Sequence, residues 1–137
     1  MNTKNKGDVS VAMILAALVW QGNTVSVPWG DNAAYDLVLE MNGKLLRVQC
    51  KTGRLRDGRI VFQTSSVYLA DGKYTKFHYR DRIDLWAVYC PDNGKIYLIP
   101  VADVQNTSQA ALHLEVPKFR NRYGYKLAAS YELGEGG

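Results

Sequence analysis

The chain has 137 residues, 47% of them apolar and 22% charged, with a formal net charge of +4. This length suits one domain of ~100–150 residues, and the apolar share supports a packed core rather than a disordered tail. The modest basic excess admits nucleic acid as a partner without demanding it.

The longest apolar run, "VSVAMILAALVW" at residues 9–20, is shorter than the ~20 residues of a membrane span. No small-residue cleavage pattern follows it, so neither a span nor a signal peptide is expected. The expected location is cytoplasmic, in an intracellular setting of bacterial or phage-like type. Cys50 and Cys90 lie in strand-like segments without CxxC spacing, which argues against zinc and suits a reducing compartment.

"NTKNKGDVSVAMILAALVWQGN" reads as a helix stopped at Gly22-Asn23, apolar around most of its circumference and so wedged between other elements. "TVSVPWG" is a short strand ended by Pro28 and Gly30. "YDLVLEM" and "KLLRVQCKT" are strands joined at Asn42-Gly43, the strongest short-range hairpin signal. "GRIVFQTSS" reads as one strand entered through "RLRDG", and residues 71–83 as a polar, basic and aromatic loop. "DLWAVYCP" and "KIYLIPVADV" form a second pair across "DNG", and "ALHLEV" a short edge strand. The tail from about residue 117 reads as basic, then weakly helical, then frayed. One helix followed by mostly antiparallel strands predicts an α/β (α+β) layer around a central sheet. No glycine-rich phosphate loop appears, which removes the mechanism of a nucleotide-binding fold.

Strand side chains alternate faces, so Gln49 and Lys51 share one face and Val48 and Cys50 the other. With a two-residue turn at Asn42-Gly43, Asp36 falls roughly opposite Gln49. Strand propensity does not ask for an aspartate there. A carboxylate oxygen and an amide oxygen are hard ligands suited to Mg²⁺, and a nearby lysine can orient a water or steady charge on a phosphorane-like transition state. An uncharged Gln49 lowers metal affinity relative to a carboxylate.

Asp36, twelve intervening residues and then Gln49-x-Lys51 resemble the PD-(D/E)XK nuclease signature, with Gln in place of the second acid. The stretch from "KGDVSVAMILAALVW" through "YDLVLEMNGKLLRVQCKTGRLRDGRIVFQTSS" to "IDLWAVYCPDNGKIYLIPVADV", about residues 6–104, resembles the small PD-(D/E)XK family that includes the cyanobacterial group I intron homing endonuclease. The resemblance implies a restriction-endonuclease-like core of α-β-β-β-α-β type, with a mixed sheet and the N-terminal helix packed on it. It implies a single nuclease domain over 1–137 with a basic C-terminal extension at about 105–137. It also implies cleavage of double-stranded DNA with Mg²⁺ (Mn²⁺ substituting), leaving 5′-phosphate and 3′-hydroxyl ends, by a dimer or tetramer. The family's first-helix glutamate, in a "KGE" context, matches Asp8 here, one methylene shorter and an outer metal ligand. Tyr35 stands where the proline of "PD" would be. The expected catalytic set is Asp36, Gln49, Lys51 and Asp8, with Asp36, Gln49 and Asp8 on the metal.

Plain readings stand beside these. Asp8 also suits a helix N-terminal acid, worth ~0.3–1 kcal/mol. Asp31 in "WGDN" suits an Asx turn, and Asp84 a structural role. In "QTSS", Gln63 and Ser65 either meet DNA or end a strand. Three basic groups remain, any of which is otherwise a solvated loop: Arg54, Arg56 and Arg59; Lys73, Lys76, Arg80 and Arg82 with His78 among aromatics; and Lys118, Arg120 and Arg122 near Lys126. Basic and aromatic interleaving suits phosphate contacts, and the middle group is the expected source of base readout. A structure-specific Holliday junction resolvase, a restriction-like nuclease and a catalytically inactive DNA-binding module remain alternatives to the site-specific endonuclease.

Overall fold

The N-terminal apolar run forms one helix, α1 (Thr3–Trp20), in a computed structural model of the chain. The structure describes residues 2–30, 32–78, 82–104, 108–118 and 124–134; within 66–70 and 74–78 only the backbone is described. Asn2 caps α1, its side chain accepting the Asn5 N–H at 2.9 Å. At the other end Gly22 turns the chain out at a φ of 91°.

The strands follow as β1 (Thr24–Ser26), β2 (Leu37–Met41), β3 (Lys44–Thr52), β4 (Arg54–Arg56), β5 (Arg59–Gln63), β6 (Ser65–Ala70), β7 (Lys73–His78), β8 (Leu85–Cys90), β9 (Lys95–Pro100) and β10 (Gln109–His113). Five of them form the central sheet in the order β1-β2-β3-β8-β9. Only β3 and β8 run parallel in it; the other neighbours are antiparallel. The sheet is therefore mixed, as the family resemblance implies. A second sheet, β10-β5-β4, and the hairpin β6-β7 complete the described strands.

Alternation along β3 and β8 sorts the core into two layers. Val48, Cys50 and Ala87 face Ile14 and Leu18 of α1. Trp86, Val88 and Cys90 face Ile60, Phe62 and Leu112 of the second sheet. Each large side chain removed from water contributes ~1.5–3 kcal/mol, so both faces of the central sheet are glued. A hydrogen bond of 2.6 Å between the Ser10 and Thr52 hydroxyls pins α1 over the C-terminal end of β3. At the opposite end Asp84 closes the parallel pair, its carboxylate accepting from the Arg47 backbone N–H at 2.8 Å and from the Arg47 guanidinium at 3.1 Å. Asp84 is structural, as expected.

Three hairpins share one turn chemistry. Asn42-Gly43, Asp57-Gly58 and Asp71-Gly72 each put two successive residues at positive φ, between 51° and 78°, the type I′ turn that Asn-Gly and Asp-Gly favour. Of these three turns, only Asn42-Gly43 is a hairpin expected from the sequence, and three corrections follow. "RLRDG" is not an entry loop but β4 and its turn into β5. The single strand expected over "GRIVFQTSS" breaks at Thr64, whose N–H goes to Ser108 at 2.9 Å, and restarts as β6. Residues 71–83 are not a loop throughout, since 73–78 form β7 against β6. Among the described residues the long connection from β3 to β8 contains strands and no α-helix, so the second helix of the expected α-β-β-β-α-β order is absent from them.

The C-terminal part folds back onto this body. β10 lies at the edge of the second sheet against β5. Glu132 bridges to Tyr97, and the Lys95 ammonium meets the Glu132 carboxylate at 2.9 Å.

Gly53, between β3 and β4, is buried. A Cβ there would lie 2.8 Å from Val88 Cγ1 and 3.0 Å from Ile60 Cγ2. Gly53→Ala is expected to destabilise the domain by ~1–3 kcal/mol through overpacking, read as a lower Tm in thermal unfolding.

Candidate active site

The ladder between β2 and β3 ends at Leu37 opposite Val48. Asp36 sits one residue beyond, its own N–H donating to the Val48 carbonyl at 2.8 Å. Its side chain then substitutes for a strand partner, Oδ2 accepting the Cys50 N–H at 3.0 Å. An aspartate poorly suited to a strand is thus held at the point where the strand stops.

Asp36 is partly buried, and burial raises its carboxyl above the usual carboxylate range against the lowering effect of the Cys50 N–H and the Lys51 charge. Burial likewise holds the Lys51 ammonium below the ordinary lysine value, with Asp36 opposing. Lys51 Nζ lies 5.9 Å from the centroid of the buried Trp86 ring, a cation–π arrangement. Burial pushes the Cys50 thiol far up, so it is inert at neutral pH.

Asp8 projects from the exposed side of α1 into a cleft that it shares with Tyr35, Asp36 and Pro28. Gln49 sits between Val48 and Cys50 on the Lys51 face of β3, opposite Trp86 of β8. Asp8 lines the same cleft as Asp36 from the helix side, and the Lys51 charge acts on Asp36 from β3, while Gln49 belongs to the face of β3 turned away from α1. Two carboxylates and an amide oxygen are hard donors. They fit a divalent cation that keeps several waters, whereas among the described residues no group of three His, Cys, Asp or Glu gathers into a denser cage.

The PD-(D/E)XK endonuclease family model matches residues 1–134. The chain belongs to that family. It is a nuclease. Its fold is similar to the solved structure of a bacterial homing endonuclease, I-Ssp6803I, with a TM-score of 0.74 and 25% identity over 96% of this chain and 89% of the other. No curated protein sequence matches the chain.

Around Asp36 the expected DNA contacts scatter. Arg54 and Arg56 are exposed on one face of β4 and line a cleft with Lys6. Arg59 and Lys118 line a different one with His113. Gln63, Lys73 and Arg82 are exposed. Ser65 is only 5% exposed at the start of β6, so its hydroxyl is withdrawn from the surface a duplex would touch. The side chains of Lys76 and His78 lie outside the described residues, as do Asp31, Arg80, Arg120 and Arg122.

The Cys50 N–H, Trp86 and Lys6 are not among the residues expected from the sequence. The first is a backbone group, and the second pairs with β3 only across a long connection; neither leaves a sequence signal. Lys6 stands two residues from Asp8 and was within reach of a charge count.

Gln49→Glu adds the missing charge to the donor set. It is expected to lower the Mg²⁺ concentration for half-maximal cleavage by about 10-fold, the scale of an added charged ligand, measured by metal titration of the rate.

Proposed function

We propose that this endonuclease hydrolyses double-stranded DNA at a specific site with Mg²⁺, as a homing endonuclease does. The observation that carries this reading is Asp36, held at the broken strand edge by the Cys50 N–H, coupled to Lys51 and sharing a cleft with Asp8. Asp36, Gln49 and Asp8 would hold the cation, which when bound neutralises the scissile phosphate and supplies an activated water. Asp36 orients the water for attack opposite the leaving 3′-oxygen. Lys51, kept close by the Trp86 ring, places positive charge on the pentacoordinate oxygens as they gain negative charge. The leaving oxygen takes its proton from solvent, giving 5′-phosphate and 3′-hydroxyl ends.

The described residues hold one such site, so a double-strand cut calls for two copies on opposed strands, and a homo-oligomer belongs to this proposal. No described helix is long and apolar enough to cross a membrane; the proposed place of action is wherever the cell keeps its DNA.

The test is cleavage of genomic DNA from the source organism beside a labelled four-way junction. Discrete double-strand breaks at one sequence support the site-specific reading. Cutting of the junction irrespective of sequence replaces it with a resolvase. Salt-sensitive binding without cutting replaces it with an inactive DNA-binding module.

A further inference from the structure

The acidic cleft of Asp8 and Asp36 lies on one flank of α1. On its other flank, past the end of β3, a second cleft is lined by Thr3, Lys6, Thr52, Arg54, Arg56 and Asp92, among others. Lys6, Arg54 and Arg56 are exposed, and among the described residues none of the three is in an ion pair. The one carboxylate in that group, Asp92, accepts the Leu55 N–H at 2.8 Å and so holds β4 in place. Three cations against one acid leave a positive cleft.

The fold also tolerates repulsion here. Arg54 and Arg56 alternate onto one face of β4, and Arg56 lies directly opposite Arg59 of β5. Like charges at such cross-strand positions are destabilising, and a polyanion relieves that cost.

We propose that this cleft is the track for the backbone phosphates of the DNA strand flanking the cut, with Lys6, Arg54 and Arg56 as the contacts. The N-terminal turns of α1 form the ridge between track and scissile phosphate. A helix is ~10 Å across, and each strand of a duplex advances ~3.4 Å per phosphate, so the contacted phosphates lie about three nucleotides from the cut. Thr3 and Thr52 line the same cleft and supply hydroxyl donors. The proposal rests on DNA as the substrate of this endonuclease.

The test compares wild type, the triple variant Lys6→Gln/Arg54→Gln/Arg56→Gln and the control Lys44→Gln, using a duplex with Ca²⁺ in place of Mg²⁺ for binding and Mg²⁺ for cleavage. Lys44 is exposed and eight residues from Thr52 along β3, about 26 Å away at ~3.3 Å per residue. The triple variant should flatten the slope of log affinity against log salt by about two to three, since each phosphate contact contributes ~0.9. The loss should be the same for every sequence and should appear in KM far more than in kcat. Lys44→Gln should leave the slope as it is. A triple variant with the wild-type slope overturns the track while leaving the nuclease reading intact if wild type still cuts. A wild type that does not cut, with the slope still flattened in the triple variant, overturns the cleavage site and leaves the track standing.

Discussion

Asp36→Asn is expected to abolish cleavage, by about 10³-fold or more, and to raise Tm at neutral pH. The activity loss follows from removing the proposed charged ligand and water-orienting group at once, each of which is typically worth orders of magnitude. The stability gain follows from where the carboxylate sits. Burial is the largest influence on Asp36 and raises its pKa above the ordinary 3.8. An acid raised in the folded state stabilises fully only below its unfolded pKa, and that contribution is lost as pH climbs through the folded value. At neutral pH the ionised group therefore works against folding. Asparagine removes the charge and keeps an oxygen to accept the Cys50 N–H. The gain should be modest, about 1–4 °C, on the scale expected for functional residues traded for stability. It should shrink as the pH is lowered through the raised Asp36 value, where the carboxyl itself protonates. Thermal melts of both proteins across pH check this; an equal or lower Tm for the variant at pH 7 would mean that the Lys51 pairing outweighs the burial.

Lys51→Met is expected to lower kcat by about 10²–10³-fold, the cost of deleting one preorganised positive group at a developing oxyanion. Methionine keeps the length of the side chain and makes favourable sulfur–aromatic contact with Trp86, so the fold should survive. Burial depresses the Lys51 pKa from 10.5, with Asp36 opposing. A base lowered in this way opposes folding while it is charged, so the variant should be the more stable protein at neutral pH, with the difference fading as pH rises from the depressed value toward the ordinary lysine value. The same depression fixes the shape of the pH–rate profile. Wild-type cleavage should decline on the alkaline side earlier than an ordinary lysine would give. Lys51→Arg, which stays charged, should keep part of the activity and lose that decline. A pH–rate series on the three proteins reads all of this; an unchanged alkaline limb in Lys51→Arg assigns the limb to another group.

The parts of the fold set by local signals were readable. The helix showed its apolar run and its Gly22 stop, and β3 was bounded correctly because Asn42-Gly43 opens it and Gly53 follows it. The same turn placed Asp36 near Gln49 and Lys51, which the structure reproduces to within the offset that Asp36 introduces by leaving the ladder. The β6-β7 hairpin is masked in the sequence by the charges of "DGKYTKFHYR", although its Asp-Gly turn and its Tyr, Thr and Phe favour strands. The parallel pairing of β3 with β8 spans a connection of more than thirty residues, and no local pattern encodes such a partner. It is this pairing that brings Trp86 beside Lys51. Ser65 read as a surface hydroxyl because Thr-Ser-Ser is turn-like; the change of strand at Thr64 buries it instead.

The central claim is that the Asp36–Lys51 edge is where the phosphodiester is cut. Its most direct test is a single-turnover assay on source genomic DNA with Mg²⁺, with and without a chelator, using wild type and Asp36→Asn at concentrations where both bind. Discrete breaks made by wild type, absent with chelator and absent with the variant, are the predicted result. Wild-type-like breaks from Asp36→Asn would contradict it and move the chemistry elsewhere on the molecule.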